Sequence, residues 1–91
     1  MAWAIEYTDA ARKQLRKLDR ATAQRIYRYL AERVAPLDDP RGPGKALSGP
    51  LGELWRYRVG DHRIIAELRH HALTVLVLRI GHRRDVYKQQ S

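Results

Sequence analysis

The second half of the chain constrains the fold most. From Leu54 onward it reads Leu-Trp-Arg-Tyr-Arg-Val, then His-Arg-Ile-Ile-Ala-Glu-Leu-Arg, then Leu-Thr-Val-Leu-Val-Leu-Arg-Ile, with only Gly60-Asp61 and His70-His71-Ala72 between the runs. β-Branched and aromatic residues fill these runs, and connections of two or three residues leave no room for a crossover helix. The spacing predicts three antiparallel strands over about Leu54 to Val59, His62 to Arg69 and Leu73 to Ile80, joined by hairpin turns.

Upstream, Ala2 to Tyr7 alternates Ala, Trp, Ala, Ile, Glu, Tyr and fits a further strand. Thr8 and Asp9 offer a helix cap, after which Ala11, Leu15 and Leu18 fall at helical spacing. Asp19 can cap a second helix that buries Ala23, Ile26, Leu30 and Val34. Pro36 stops it, and the stretch from Asp38 to Pro50, with three prolines and three glycines, reads as a surface loop. The expected architecture is α+β, a single domain over residues 1–91: an N-terminal strand, a two-helix hairpin, then three antiparallel strands, giving a four-stranded sheet with the helices on one face. With 91 residues there is room for one modest core.

Side-chain alternation assigns the faces. Trp55, Tyr57 and Val59 share the apolar side of their strand, so Arg56 and Arg58 point away from the helices. By the same rule Ile64, Ala66 and Leu68 meet the helices, leaving Arg63, Ile65 and Glu67 opposite. In the last strand Leu76, Leu78 and Ile80 are expected in the core, with Val75, Val77, Arg79 and Arg83 on the arginine side. One helix-covered face and one basic, partly apolar face result. Guanidiniums that cannot be deprotonated and that present a planar fork are suited to phosphate oxygens.

The composition agrees with an anionic partner. The formal net charge is +8, and 14 of the 18 basic residues are Arg; a surface of this kind attracts polyanions, nucleic acid above all. Along the first helix Arg12, Arg16 and Arg20 are spaced four apart, as are Lys13 and Lys17. Like charges at that spacing cost a few tenths of a kcal/mol per pair, roughly, so stability alone does not select them. There is no cysteine, which excludes disulfides, a thiol nucleophile and thiolate metal sites. The N-terminal residues lack a basic leader followed by an apolar run, no segment approaches membrane-spanning length, and a cytoplasmic protein is expected.

The Trp-Arg-x-Arg-x-Gly-Asp-x-Arg segment from Trp55 to Arg63, paired with Gly-His-Arg-x-x-x-Tyr from Gly81 to Tyr87, resembles the RelE/ParE superfamily of type II toxins over nearly the whole chain. Within it the chain resembles the RelE branch, whose microbial RNase fold enters the ribosomal A site and cuts mRNA. The resemblance implies a ribosome-dependent endoribonuclease, or mRNA interferase, that inhibits translation by transesterification through the ribose 2′-hydroxyl, without metal or cofactor. It places the family's catalytic residues on Arg56, Arg58, Arg63, Arg83 and Tyr87, with Arg63 and Arg83 on the phosphorane oxygens and Tyr87 orienting the reacting nucleotide. Arg12, Lys13, Arg16, Lys17, Arg20, Lys45, Arg79 and Arg84 complete the expected RNA-binding set. Implied partners are an acidic RelB-like antitoxin and the ribosomal A site with its rRNA and mRNA; operator DNA is met only through the antitoxin, and no membrane is involved.

The proton acceptor is the weak point of that reading. Where the best-known RelE members carry Lys at the first two positions, this chain has Arg56 and Arg58, and a guanidinium is a poor base at neutral pH. His62 and His82 flank the arginines but are expected on the opposite face, and Glu67 is expected to pair with a neighbouring arginine. The carboxylate and C-terminal histidine of YoeB-like relatives are missing too, so a strong ribosome-independent ribonuclease is not expected. The alternative is a ParE-like inhibitor of DNA gyrase, or a catalytically weak toxin that only binds RNA or the ribosome.

Overall fold

A computed structural model describes residues 2–47 and 54–82. The elements follow in the order β1 (Ala4–Tyr7), α1 (Asp9–Lys17), α2 (Arg20–Tyr29), a closing turn of π-helical geometry (Leu30–Val34), β2 (Lys45–Ala46), β3 (Leu54–Val59), β4 (His62–Arg69) and β5 (Thr74–His82). The five strands form one mixed sheet in the order β1-β5-β4-β3-β2. β1 runs parallel to β5, and every other pairing is antiparallel.

Local chemistry explains the helices. Thr8 caps α1 by accepting a hydrogen bond from the Ala11 amide at 3.1 Å, and Arg16 and Lys17 occupy the last turn, where cations suit the helix dipole. Asp19 caps α2, its carboxylate accepting from the Thr22 amide at 3.1 Å and from the Thr22 hydroxyl at 2.6 Å. These bonds hold the Asp19 carboxyl below its ordinary pKa. Ala11 and Leu15 of α1, and Ile26, Leu30 and Val34 of α2 and its closing turn, are buried against the sheet with Tyr57, Val59, Ile64, Ala66, Leu68, Val75, Val77 and Ile80.

Two expectations need correction. The Pro/Gly stretch is not loop throughout: Lys45 and Ala46 pair with Arg56 and Trp55, adding a fifth, two-residue strand at the sheet edge. Its other end is anchored, with Pro40 buried and its carbonyl accepting the Tyr57 hydroxyl at 2.7 Å. Gly44 lets this segment pass close by, since a methyl there would meet the Tyr57 ring at 3.0 Å and the Arg56 carbonyl at 3.2 Å.

The second correction concerns β5. Val75 and Val77 lie in the core, opposite Leu68 and Ala66, whereas Leu76 pairs with Glu67 on the other face. The pairing shifts between Ile65 and Ala66, whose partners are Arg79 and Val77, so Leu78 is the extra residue of a β-bulge. The bulge reverses the alternation and returns Ile80 to the core opposite Ile64. α1 and its cap satisfy the backbone there: the Thr8 hydroxyl donates to the Leu78 carbonyl at 3.0 Å, and the Ile80 amide donates to Oε1 of Gln14 at 2.7 Å.

Candidate nucleic-acid interface

The sheet face turned away from the helices carries its charges in register. Paired residues stand side by side, so one row runs Lys45, Arg56, Ile65, Arg79 and the next, toward the β3–β4 turn, runs Arg58, Arg63, Gly81. The acids lie in the row on the other side, which runs Leu54, Glu67, Leu76, Glu6. Glu67 is engaged there, its Oε1 accepting from Nε of Arg69 at 2.6 Å. The face is therefore cationic at the turn end, while Glu67 and Glu6 lie beyond those rows with Arg69 following them on the same face.

Arg63 is central to the cationic end. It is 7% exposed and its neighbour Ile65 is 1% exposed, although both face away from the helices. Nη1 of Arg63 donates to the carbonyls of Gly60 at 3.4 Å and His62 at 3.3 Å, long contacts that fold the side chain back toward the turn. Gly60 makes that turn at φ +59°, a left-handed conformation that glycine adopts without steric cost. Arg58 stands directly opposite Arg63 and is exposed.

Of the residues expected to act, the structure brings Arg56, Arg58 and Arg63 together with Lys45 and Arg79. Arg83, Arg84 and Tyr87 lie outside the described residues. The cations of the first helix are not part of this face: Arg12, Lys13, Arg16, Lys17 and Arg20 are all exposed, but on the outer side of the helical layer that covers the opposite side of the sheet.

The histidines stand apart as well. His62 and His82 pair across β4 and β5 with ring centroids 6.1 Å apart, on the helix side, and His62 lies near Asp19, Thr22 and Arg25 of the helices. Neither enters the two cationic rows, which hold no His, Asp or Glu among the described residues. Tyr57 and Tyr7 cannot serve as bases either, because burial raises both phenols, Tyr7 to about 12. These rows can bind a phosphate and stabilise charge that develops on it; among the described residues they offer no proton acceptor that works at neutral pH.

One charged feature escaped the sequence reading. A cleft of about 370 Å³ opens between α2 and the end of β3, lined by Arg25, Arg28, Tyr29, Glu32, Arg33, Arg58, Val59 and Gly60. Only the spacing Arg25, Arg28, Arg33 along one helix flank hinted at it. Among the described residues no group of three or more His, Asp or Glu side chains is placed to hold a metal ion.

Comparison with known proteins agrees with this architecture. The family described as the ParE toxin of type II toxin-antitoxin systems matches residues 5–87. The chain is 26% identical to the toxin RelG of Mycobacterium tuberculosis over 89 residues, which cover 98% of this chain and all of that one. Among solved structures, the RelBE2 toxin-antitoxin complex of M. tuberculosis superposes with a TM-score of 0.81 at 24% identity, covering 91% of this chain and 93% of the other. A mutant of the Escherichia coli toxin RelE in its free state gives 0.77 at 22% identity, covering 97% and 93%. The chain therefore belongs to the ParE toxin family of type II toxin-antitoxin systems, within the RelE/ParE superfamily.

Proposed function

We propose that this toxin is a ribosome-dependent endoribonuclease that cleaves mRNA in the A site and is neutralised by an acidic RelB-like antitoxin. The observation that carries the reading is the pair of cationic rows on the sheet face turned away from the helices, Lys45, Arg56 and Arg79 beside Arg58 and Arg63. The 2′-hydroxyl attacks the adjacent phosphate in line, and a 2′,3′-cyclic phosphate and a 5′-hydroxyl result. Arg63 and Arg83 hold the phosphorane oxygens, where preorganised donors are most effective. Arg56 and Arg58 position the strand, and Tyr87 stacks on or orients the reacting nucleotide. The antitoxin follows from solved relatives such as the RelE–RelB complex of Pyrococcus horikoshii and from the net charge of +8. A cytoplasmic site of action follows from the ribosomal target.

Because the cationic rows hold no base among the described residues, the proposed mechanism includes the ribosome, whose A site can constrain the mRNA for in-line attack and supply proton acceptors of its own. Naked mRNA should survive concentrations of toxin at which A-site mRNA is cut. Mapping new 5′ ends with and without translating ribosomes tests this, and equal cutting of free RNA overturns it.

The same lack, together with the ParE description of the matching family, favours a second reading: a non-catalytic toxin that binds DNA gyrase. Inhibition of supercoiling without any new RNA ends would select it.

A further inference from the structure

The cleft between α2 and β3 holds four arginines, Arg25, Arg28, Arg33 and Arg58, against one carboxylate, Glu32. None of the four forms an ion pair with a carboxylate among the described residues. The guanidinium of Arg25 lies over the β3–β4 turn, where a methyl added at Gly60 would meet its Nη1 at 3.4 Å. Like charges gathered this closely disfavour one another unless an anion joins them.

Arg58 belongs to both surfaces. It stands opposite Arg63 on the sheet face and also lines the cleft. β2 pairs with β3 only at Trp55 and Arg56, so the cationic track can continue around the β3 edge at Arg58. Tyr29 adds a half-buried ring to the cleft wall. Arginines interleaved with an aromatic ring suit single-stranded nucleic acid, whose phosphates and base faces they engage separately. An acidic peptide would use the charges and leave the ring without a role.

We infer that this cleft is a second phosphate-binding site, which receives the RNA backbone next to the segment lying on the sheet face, with Arg58 as the joint between them. The inference rests on the proposed reading of the sheet face as an RNA site. Here Arg25, Arg28 and Arg33 bind and do not take part in cleavage.

The test is fluorescence anisotropy with labelled 2′-O-methyl oligoribonucleotides, which cannot be cut, of about 4 and about 14 nucleotides, the short one able to cover the sheet face alone and the long one able to reach the cleft as well. The wild-type chain is compared with Arg25→Gln/Arg28→Gln/Arg33→Gln, with folding checked by circular dichroism. The longer probe should lose at least about tenfold more affinity than the shorter one, and its salt slope should fall by roughly 2, about 0.7 for each phosphate contact removed. Should the triple variant not fold, Arg28→Gln alone should lower the slope by about 0.7.

An unchanged slope, or equal loss for both lengths, overturns the inference. So does a polyglutamate peptide whose binding falls in the variant while RNA binding does not, which would make the cleft an acidic-peptide site. If the wild-type chain cuts no mRNA on ribosomes but the length dependence holds, the nuclease reading fails and the cleft stands as an RNA site.

Discussion

The two faces of the sheet are built on different physics. Under the helices, Tyr57, Ile64, Ala66, Val75, Val77 and Ile80 are buried against Ala11, Leu15, Ile26, Leu30 and Val34, an arrangement that hydrophobic burial accounts for without further assumption. The other face sets Arg58 directly against Arg63, keeps Arg63 mostly out of water, and holds its acids outside both cationic rows. Opposed like charges weaken a strand pair, and a buried cation loses solvation. The helix-covered face is what makes the chain fold, whereas the charge gathered on the other face does not stabilise the fold and fits the anion site proposed for it.

Substitutions on each face test that division, and the largest effect is expected in the core. Leu30→Ala should lower stability by about 2–5 kcal/mol, the usual cost of a truncated core leucine, read from thermal or denaturant unfolding. Arg63→Ala should do the opposite kind of damage, slowing cleavage of A-site mRNA by about 10²- to 10³-fold while the folded state persists. An Arg63→Ala chain that unfolds, or one that cuts at the wild-type rate, breaks the comparison.

A smaller effect is expected where the faces are kept in register. Thr8→Ala removes both the cap of α1 and the hydroxyl bound to the Leu78 carbonyl, and should cost about 1 kcal/mol in unfolding experiments. Smaller still, Arg58→Thr should raise stability by about 0.2–1 kcal/mol, because it removes the charge opposite Arg63 and places a β-branched residue in a strand. The same variant should cut more slowly. A loss of stability would show that Arg58 contributes to folding after all.

The smallest effect concerns acid. Hydrogen bonds from the Arg41 side chain and amide hold Asp39 down to about 2. Because the folded value is depressed, Asp39 contributes stability above the ordinary carboxylate pKa, and that contribution disappears as pH falls through about 2. The group is exposed, so the change should be slight. The difference in melting temperature between the wild type and Asp39→Asn should shrink steadily from pH 5 toward pH 2.

How much of the site the sequence reveals depends on how strictly each strand alternates. In β3 the order Trp-Arg-Tyr-Arg-Val leaves one choice of face, and Arg56 and Arg58 lie where alternation puts them. β4 is as clear, with Ile64, Ala66 and Leu68 inward and Arg63 outward. β5 carries no such signal, because Val75, Leu76, Val77 and Leu78 are all apolar and either face can take either set. The cleft was little clearer, since the spacing of Arg25, Arg28 and Arg33 hinted only at its helical wall and Arg58 is separated from Arg25 by 33 positions of sequence.

By itself, then, the sequence determines the order of elements, both hairpin turns, the helix caps at Thr8 and Asp19, and the basic character of one sheet face, because each depends on residues close together along the chain. Tertiary structure alone decides the bulge at Leu78, the short strand at Lys45 and Ala46, and the meeting of α2 with Arg58. The physical reason is distance along the chain. The Thr8 hydroxyl reaches Leu78 across 70 residues and Gln14 reaches Ile80 across 66, and a local pattern carries no information about partners that arrive from so far away.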